Sequence, residues 1–156
     1  MAGNRVAGKT HLMREQPELP KDGIRDCLHD YYGLTAVTLD FLPLGLDFTA
    51  GVYRASTDGE TCFLVKIKSG LFYESGCQVS SYLRGQGITS VIAPLPNKNA
   101  ALWTKLDDWM LVVFPFVDGD SNPTGMADEQ WREAGSILKR IHGVKLPQSG
   151  FESIKR

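Results

Sequence analysis

The sequence predicts an α+β domain with an antiparallel five-stranded sheet, a helix packed across it, an N-terminal helix and a C-terminal linker helix. Two groups of short β-branched and aromatic stretches are separated by turn residues, which is typical of antiparallel strands. A segment with helical spacing of apolar residues separates the two groups, and another follows the last strand. This order of elements is the basis of the prediction.

The first predicted element is a short amphipathic helix over residues 20–32. Its apolar residues recur at helical spacing, and Gly33 stands where a glycine ends a helix. The apolar positions are Ile24, Cys27, Leu28 and Tyr31. Residues 1–19 mix charge, glycine and proline without periodicity, so we expect a flexible lead-in.

Three extended stretches follow, at about residues 35–45, 50–56 and 61–68. Asp58 and Gly59 lie between the last two and predict a tight hairpin turn. These stretches form the first half of the predicted sheet.

A second helix is predicted to end near Gly85 or Gly87, with Phe72, Val79, Tyr82 and Leu83 near one face. Residues 91–93 are predicted to begin a new strand. A second hairpin, of about residues 101–106 and 109–117, is predicted to turn at Asp107 and Asp108.

Residues 117–125 are dense in turn formers and predict a connector where the sheet ends. The final helix begins near Asp128 and Glu129 and ends before Gly143. Trp131, Leu138 and Ile141 repeat there at helical spacing, with Lys139, Arg140 and His142 in the last turn.

Composition excludes several classes of protein. With 17 Lys and Arg against 18 Asp and Glu, the net charge of -1 does not favour a nucleic acid or an anionic membrane as a partner. The longest apolar stretch, residues 110–117, is far too short to cross a bilayer. Three cysteines without Cys-x-x-Cys spacing argue against a disulfide framework or a zinc site, so we expect a cytoplasmic protein.

The turn within residues 45–54 is the first candidate site, because its glycines would let the backbone approach a phosphate closely. An ordinary β-hairpin is the alternative. The second candidate is Lys66, which shares a strand face with Leu64 and with Lys68, a rival phosphate ligand. In kinases such a lysine holds the α- and β-phosphates, whereas an edge strand with a lysine-bearing solvent face would explain both lysines without a ligand.

Two further candidates follow along the chain. Glu74 opens the second helix and would either hold the strand lysine, as in kinases, or simply stabilise the helix N-terminus. Residues 109–117 run as an apolar strand into a glycine-containing connector, which is the layout of a kinase hinge and equally that of a core strand. In a hinge, backbone groups at about residues 114–117 would bind the adenine edge, and Pro115 could not donate.

Together these pieces resemble the aminoglycoside phosphotransferase family, within its spectinomycin phosphotransferase branch, over about residues 20–150. The resemblance rests on Leu44-Gly45-Leu46-Asp47, Gly51-Val52-Tyr53-Arg54, Phe63-Leu64-Val65-Lys66, Tyr82-Leu83, Gly87-Ile88, Val91-Ile92-Ala93-Pro94-Leu95, Phe114-Pro115-Phe116-Val117-Asp118-Gly119, Asp128-Glu129-Gln130-Trp131, Leu138, Ile141-His142 and Leu146-Pro147. It implies a protein-kinase-like N-terminal lobe at residues 20–117 and a hinge connector with a linker helix at residues 118–156.

The resemblance also implies that the chain binds ATP, with magnesium held mostly by a C-terminal lobe. The implied nucleotide-binding residues are Lys66 for the phosphates, Glu74 for its ion pair, Thr49, Ala50 and Gly51 over the phosphates, Val52 and Leu64 above the adenine, and Phe114, Phe116 and Val117 in the hinge.

The implied reaction is transfer of the ATP γ-phosphate to a hydroxyl of a small polar molecule such as an aminoglycoside, which would confer antibiotic resistance. The family's His-x-Asp-x-x-x-x-Asn catalytic loop does not begin at His11, His29 or His142, so we expect a truncated chain, inactive by itself. A separate C-terminal lobe chain or a homodimer through the exposed interlobe face would be its protein partner. The alternative is a non-catalytic kinase-fold binding or dimerisation domain.

Overall fold

A computed structural model describes residues 16–45, 47, 49–119 and 124–147 of the chain. The helices are α1 (Lys21–Cys27), which continues as a π-helical turn (Leu28–Tyr32), α2 (Glu74–Gly85) and α3 (Asp128–Gly143). The strands are β1 (Ala36–Leu42), β2 (Ala50–Thr57), β3 (Cys62–Ser69), β4 (Thr104–Leu106) and β5 (Trp109–Pro115). They form one antiparallel sheet in the order β1-β2-β3-β5-β4, which confirms the predicted fold class.

The N-terminal helix covers one face of this sheet, which we call the core face. Ile24 and Leu28 are both fully buried, and they join Tyr53, Val65 and Ile67 from β2 and β3 in one hydrophobic cluster. The predicted helix over residues 20–32 is thus confirmed, and Gly33 ends it with a φ of 69°. Tyr31 does not share the buried stripe, because the π-helical turn changes the helical period; its side chain is 42% exposed.

The residues just before α1 also pack against the sheet. Leu19 belongs to the hydrophobic core, and the ring of Pro17 lies against Gly51 of β2. A Cβ on Gly51 would lie 2.5 Å from Pro17 Cγ, so the strand needs a glycine for this close approach. The predicted lead-in therefore contributes Pro17 and Leu19 to the fold, while its residues 1–15 lie outside the described residues.

Residues 91–93 do not form the predicted strand. Pro94 has no N–H to extend a ladder, and in this stretch Leu95 donates to the Val113 carbonyl at 2.7 Å. The loop that follows is ordered by buried Asn97, whose Oδ1 accepts from the Asn99 and Ala101 amides and whose Nδ2 donates to Thr104 Oγ1. The loop is therefore ordered by a buried Asn97 side chain whose hydrogen bonds are satisfied, and the strand predicted to begin at residues 91–93 does not form.

Both predicted hairpin turns are present. Glu60 and Asp107 take the left-handed conformation in them, with φ of 60° and 53°, so Gly59 is not the residue with positive φ. The described helices include none long and apolar enough to cross a membrane.

The predicted C-terminal helix is confirmed as α3. The Gln130 side chain accepts the Ala127 N–H at 2.8 Å, which closes the N-terminus. None of the α3 side chains is buried among the described residues, and Trp131 and Leu138 are both 54% exposed. The helix is tied to the lobe through Arg140, which donates to the Gly87 carbonyl at 2.9 Å.

Candidate functional site

The face of the sheet opposite the core face carries the predicted site, and we call it the pocket face. Strand register places side chains of β2, β3 and β5 in rows across this face. The rows are Ala50, Lys68 and Met110, then Val52, Lys66 and Val112, then Arg54, Leu64 and Phe114. The lysine and the predicted adenine ceiling thus share one surface.

A cavity of about 330 Å³ lies against this face, beside the N-terminal end of α2. It is lined by Asp47, Lys66, Lys68, Phe72, Tyr73, Gly76, Cys77, Met110, Val112 and Phe114. Lys66 and Phe114 are the two predicted site residues among them. Val52 and Leu64 are the cross-strand neighbours of these two residues and extend the pocket face toward β2.

The structure distinguishes the two rival lysines. Lys68 Nζ lies 2.5 Å from Asp47 Oδ2 and donates to Thr49 Oγ1 at 2.7 Å. Lys66, by contrast, has no ion pair or hydrogen bond with any residue in the part of the chain that the structure describes. An ammonium group in a mostly apolar cavity favours an anion as its ligand, so Lys66 is the better phosphate candidate.

The predicted phosphate turn makes its hydrogen bonds internally. Asp47 Oδ1 accepts the Thr49 N–H at 3.1 Å and its hydroxyl at 2.7 Å, and the Asp47 carbonyl accepts the Ala50 N–H at 3.2 Å. Two amides that could hold a phosphate are therefore engaged. Gly51 points toward Pro17 on the core face, and Leu46 and Phe48 lie outside the described residues.

Asp47 makes the turn sensitive to acid. Hydrogen bonds from Lys68 and then from the Thr49 hydroxyl hold the pKa of the Asp47 carboxyl well below its usual range. A lowered native-state pKa contributes stability above the ordinary carboxyl pKa, and this contribution is lost as the pH falls below it. Part of the stability at neutral pH should therefore come from the Asp47 charge.

We expect Asp47→Asn to lower the free energy of unfolding by about 0.2–1 kcal/mol at neutral pH, because the partly exposed ion pair is lost while the amide oxygen can still accept from Thr49. The difference from the unsubstituted chain should shrink as the pH falls below the ordinary carboxyl pKa toward the lowered pKa of Asp47 in the folded chain. Urea unfolding of both proteins across this range measures it. A difference independent of pH would contradict the assigned charge effect.

The predicted Lys66–Glu74 ion pair does not form between these two described residues. Glu74 is exposed at the start of α2, and Cys77, one turn later, is the α2 side chain that lies near Lys66 and lines the cavity. Burial raises the pKa of the Cys77 thiol, while the Lys66 charge acts in the opposite direction. Cys77 therefore lies in the cavity wall as a neutral thiol.

The predicted hinge keeps one backbone donor for a ligand. Phe116 donates its N–H to the Cys62 carbonyl at 3.3 Å, and Pro115 has no N–H. Because antiparallel hydrogen bonding alternates, Pro115 C=O and Val117 N–H point away from β3. No hydrogen bond is made by the Val117 N–H to any residue in the described ranges, and this residue is 59% exposed.

The sequence did not predict several of the residues that line the cavity. Met110 and Val112 alternate along β5 with the core residues Leu111 and Val113, but this alternation alone does not show which pair lies on the same sheet face as Lys66. The structure shows it, because Val112 is the cross-strand partner of Lys66. The Asp47–Lys68 contact joins positions 21 residues apart and has no sequence signal. The part of the chain that the structure describes contains no cluster of acidic, His or Cys residues suited to a metal ion.

The fold is that of a kinase-like N-terminal lobe. The crystal structure of the spectinomycin phosphotransferase APH(9)-Ia with ADP and spectinomycin matches 90% of this chain and 43% of that one, with a TM-score of 0.79 and 24% identity. Its AMP-bound complex matches 86% and 40%, with a TM-score of 0.71 and 21% identity. The predicted resemblance to the N-terminal part of a spectinomycin phosphotransferase is therefore confirmed at the level of the fold.

A curated sequence relative also matches part of this chain. Protein StrN of Streptomyces griseus is 30% identical over 112 residues, which cover 71% of this chain and 34% of StrN. No protein-family model matches the chain. The chain thus spans between a third and a half of the length of the proteins that it resembles here.

Proposed function

We propose that these residues form the nucleotide-binding lobe of an ATP-dependent phosphotransferase. The observation that carries the proposal is the unengaged Lys66 ammonium among the described residues, in an apolar-walled cavity on the same sheet face as the predicted adenine ceiling. Because the chain has a net charge of -1, a phosphate could bind only where positive charge is concentrated locally, as it is at Lys66. The solved neighbours with ADP or AMP bound support the same reading.

In this proposal the nucleotide lies along the strands of the pocket face. The adenine packs under Val52 and Leu64, with Val117 N–H and Pro115 C=O available at its edge. The α- and β-phosphates meet Lys66, while Lys68 holds the β1–β2 turn through Asp47. The described residues contain no group of three or more His, Cys, Asp or Glu side chains suited to a metal ion, so in this proposal magnesium is held mostly by a C-terminal lobe.

We further propose that the phosphate acceptor is a hydroxyl of an aminoglycoside or aminocyclitol, because a solved neighbour is a complex with both ADP and spectinomycin. Modifying such an antibiotic would confer resistance, and we propose that the reaction takes place in the cytoplasm, where ATP is available. The 156 residues contain no His-x-Asp-x-x-x-x-Asn sequence. They should therefore bind nucleotide without transferring phosphate, since Lys66 alone cannot position the acceptor hydroxyl or stabilise the developing charge.

Calorimetric titration of MgATP into the purified chain tests the proposal. We expect saturable binding that Lys66→Ala weakens about tenfold or more, since a hydrogen bond to a charged group contributes roughly 1.5–3 kcal/mol. Lys21→Ala is the matched control, because it removes the same charge from α1 on the opposite side of the sheet. Lys68→Ala should weaken binding less than Lys66→Ala.

Absence of saturable binding would reject the nucleotide-binding proposal, and equal weakening by all three substitutions would reject the role of Lys66. A coupled assay with spectinomycin as the acceptor should give no ADP above the no-protein blank. ADP formation that depends on the acceptor would show that the chain transfers phosphate by itself.

The exposed apolar residues of α3 support a second candidate, a non-catalytic kinase-fold binding or dimerisation domain. Trp131 and Leu138 are half exposed on a helix without buried side chains among its described residues. A C-terminal lobe supplied by another chain, or a second copy of this chain, would cover such a surface. Light scattering on the titrated sample separates the candidates: a stable dimer that does not bind ATP favours the interaction domain.

A further inference from the structure

Arg54 makes two contacts that converge on the hinge. Its guanidinium carbon lies 4.9 Å from the centroid of the Phe116 ring, and its Nη2 donates to Cys62 Sγ at 3.3 Å. Arg54 lies on β2 in the same row of the pocket face as Leu64 and Phe114. The side chain thus reaches from one strand over another to the residue that follows β5.

Phe116 is held through its backbone as well as through its ring. Its N–H donates to the carbonyl of Cys62, the same residue whose thiol contacts Arg54. Ser56 Oγ lies 3.4 Å from that thiol and completes the cross-strand cluster. We call Arg54, Cys62 and Phe116 the hinge clamp.

The hinge clamp acts at the position where the chain leaves the sheet. Phe116 is the last residue of this segment with a hydrogen bond to the ladder, and Val117 is exposed beyond it. The Val117 N–H lies in one planar peptide group with the Phe116 C=O, so its direction depends on rotation about the Phe116 backbone bonds. Holding Phe116 by its N–H and its ring limits that rotation and so restrains the direction of the Val117 N–H.

We propose that Arg54 is a positioning residue for the nucleotide base, which acts by clamping Phe116 so that Val117 N–H is held ready for the adenine edge. This inference rests on the proposed nucleotide-binding function. It assigns no contact between Arg54 and the phosphates, which lie toward Lys66 in the neighbouring row. Because an exposed cation–π contact contributes little, its loss should change the dissociation constant of the nucleotide about two- to fivefold.

The test separates base binding from phosphate binding. Arg54→Met keeps an unbranched side chain and removes the guanidinium, and Arg54→Lys restores the charge without the planar group. The affinities of ATP, adenosine and inorganic tripolyphosphate are measured by calorimetry for each protein. Arg54→Met should weaken ATP and adenosine by the same two- to fivefold and leave tripolyphosphate unchanged, with partial recovery in Arg54→Lys.

Lys66→Ala supplies the opposite pattern, because it should weaken ATP and tripolyphosphate and leave adenosine unchanged. Phe116→Leu should reproduce the Arg54→Met effect, and the double variant should add nothing further. Unchanged ATP and adenosine affinities in Arg54→Met would overturn the inference. Loss of tripolyphosphate binding in Arg54→Met would also overturn it, since Arg54 would then be a phosphate ligand.

Amide hydrogen exchange tests the hinge clamp in the absence of any ligand, so its result does not depend on whether the proposed nucleotide-binding function is correct. In the ligand-free chain, Arg54→Met should speed exchange of the Phe116 amide two- to fivefold and leave the Leu111 amide of the same strand unchanged. Unchanged Phe116 exchange would show that the clamp does not exist, whatever the chain binds. Faster exchange in a chain that binds no nucleotide would confirm the clamp, reject the proposed function and overturn the base-positioning role.

Discussion

Leu28→Ala is expected to lower the free energy of unfolding by about 2–5 kcal/mol, the range for deleting a fully buried leucine side chain. Leu28 is 0% exposed, on the π-helical turn after α1, and it packs into the cluster under the sheet. The truncation would leave a cavity between helix and sheet, because both are fixed by other contacts. Urea unfolding of both proteins measures the difference.

Leu138→Ala is the matched control, since it makes the same chemical change on α3, where the side chain is 54% exposed. We expect this substitution to change the free energy of unfolding by less than about 0.5 kcal/mol. A large effect of Leu138→Ala would mean that α3 is covered in solution, as the dimerisation alternative requires. A small effect of Leu28→Ala would contradict the packing of α1 against the sheet.

At about pH 7.5, iodoacetamide is expected to alkylate Cys62 at least about a hundredfold faster than Cys27. The thiolate is the reacting form, and hydrogen bonds from Ser56 and then from Arg54 lower the pKa of the Cys62 thiol. Burial, and then the Asp30 charge, raise the pKa of Cys27 to about 11. Below its pKa, such a thiol carries about a hundredfold less thiolate than one with the ordinary value.

Cys77 should also react slowly, because burial raises the pKa of its thiol and leaves only 7% of the residue exposed. Peptide mass spectrometry over a time course measures all three rates in one sample. In urea the three thiols should react alike, which controls for local sequence effects. When the rate of Cys62 alkylation is measured as a function of pH, Ser56→Ala should shift its rise to higher pH, since the substitution removes a hydrogen bond that stabilises the thiolate. Equal rates for Cys62 and Cys77 in the folded chain would contradict the burial of Cys77.

How much of the site the sequence could predict depended on the range of the interactions. The alternation on β3 was enough to place Lys66 and Leu64 on one face, because side chains on a strand alternate between two faces. The same rule also placed Lys68 there and left the rivalry between the lysines open. Asp47 resolves it by pairing with Lys68 across 21 residues. No local pattern specifies such a contact, since it depends on where the β1–β2 turn folds.

Apart from a strand predicted to begin at residues 91–93 that does not form, the sequence by itself determined the order of helices and strands, both hairpin turns and the glycine that ends the first helix. These features follow from local periodicity and turn chemistry. The tertiary structure decided which face of the sheet α1 covers, that Asn97 rather than a strand orders the loop before β4, and that Cys77 rather than Glu74 lies beside Lys66. Those outcomes depend on packing between segments far apart in the chain, where burial and hydrogen-bond satisfaction outweigh local preference.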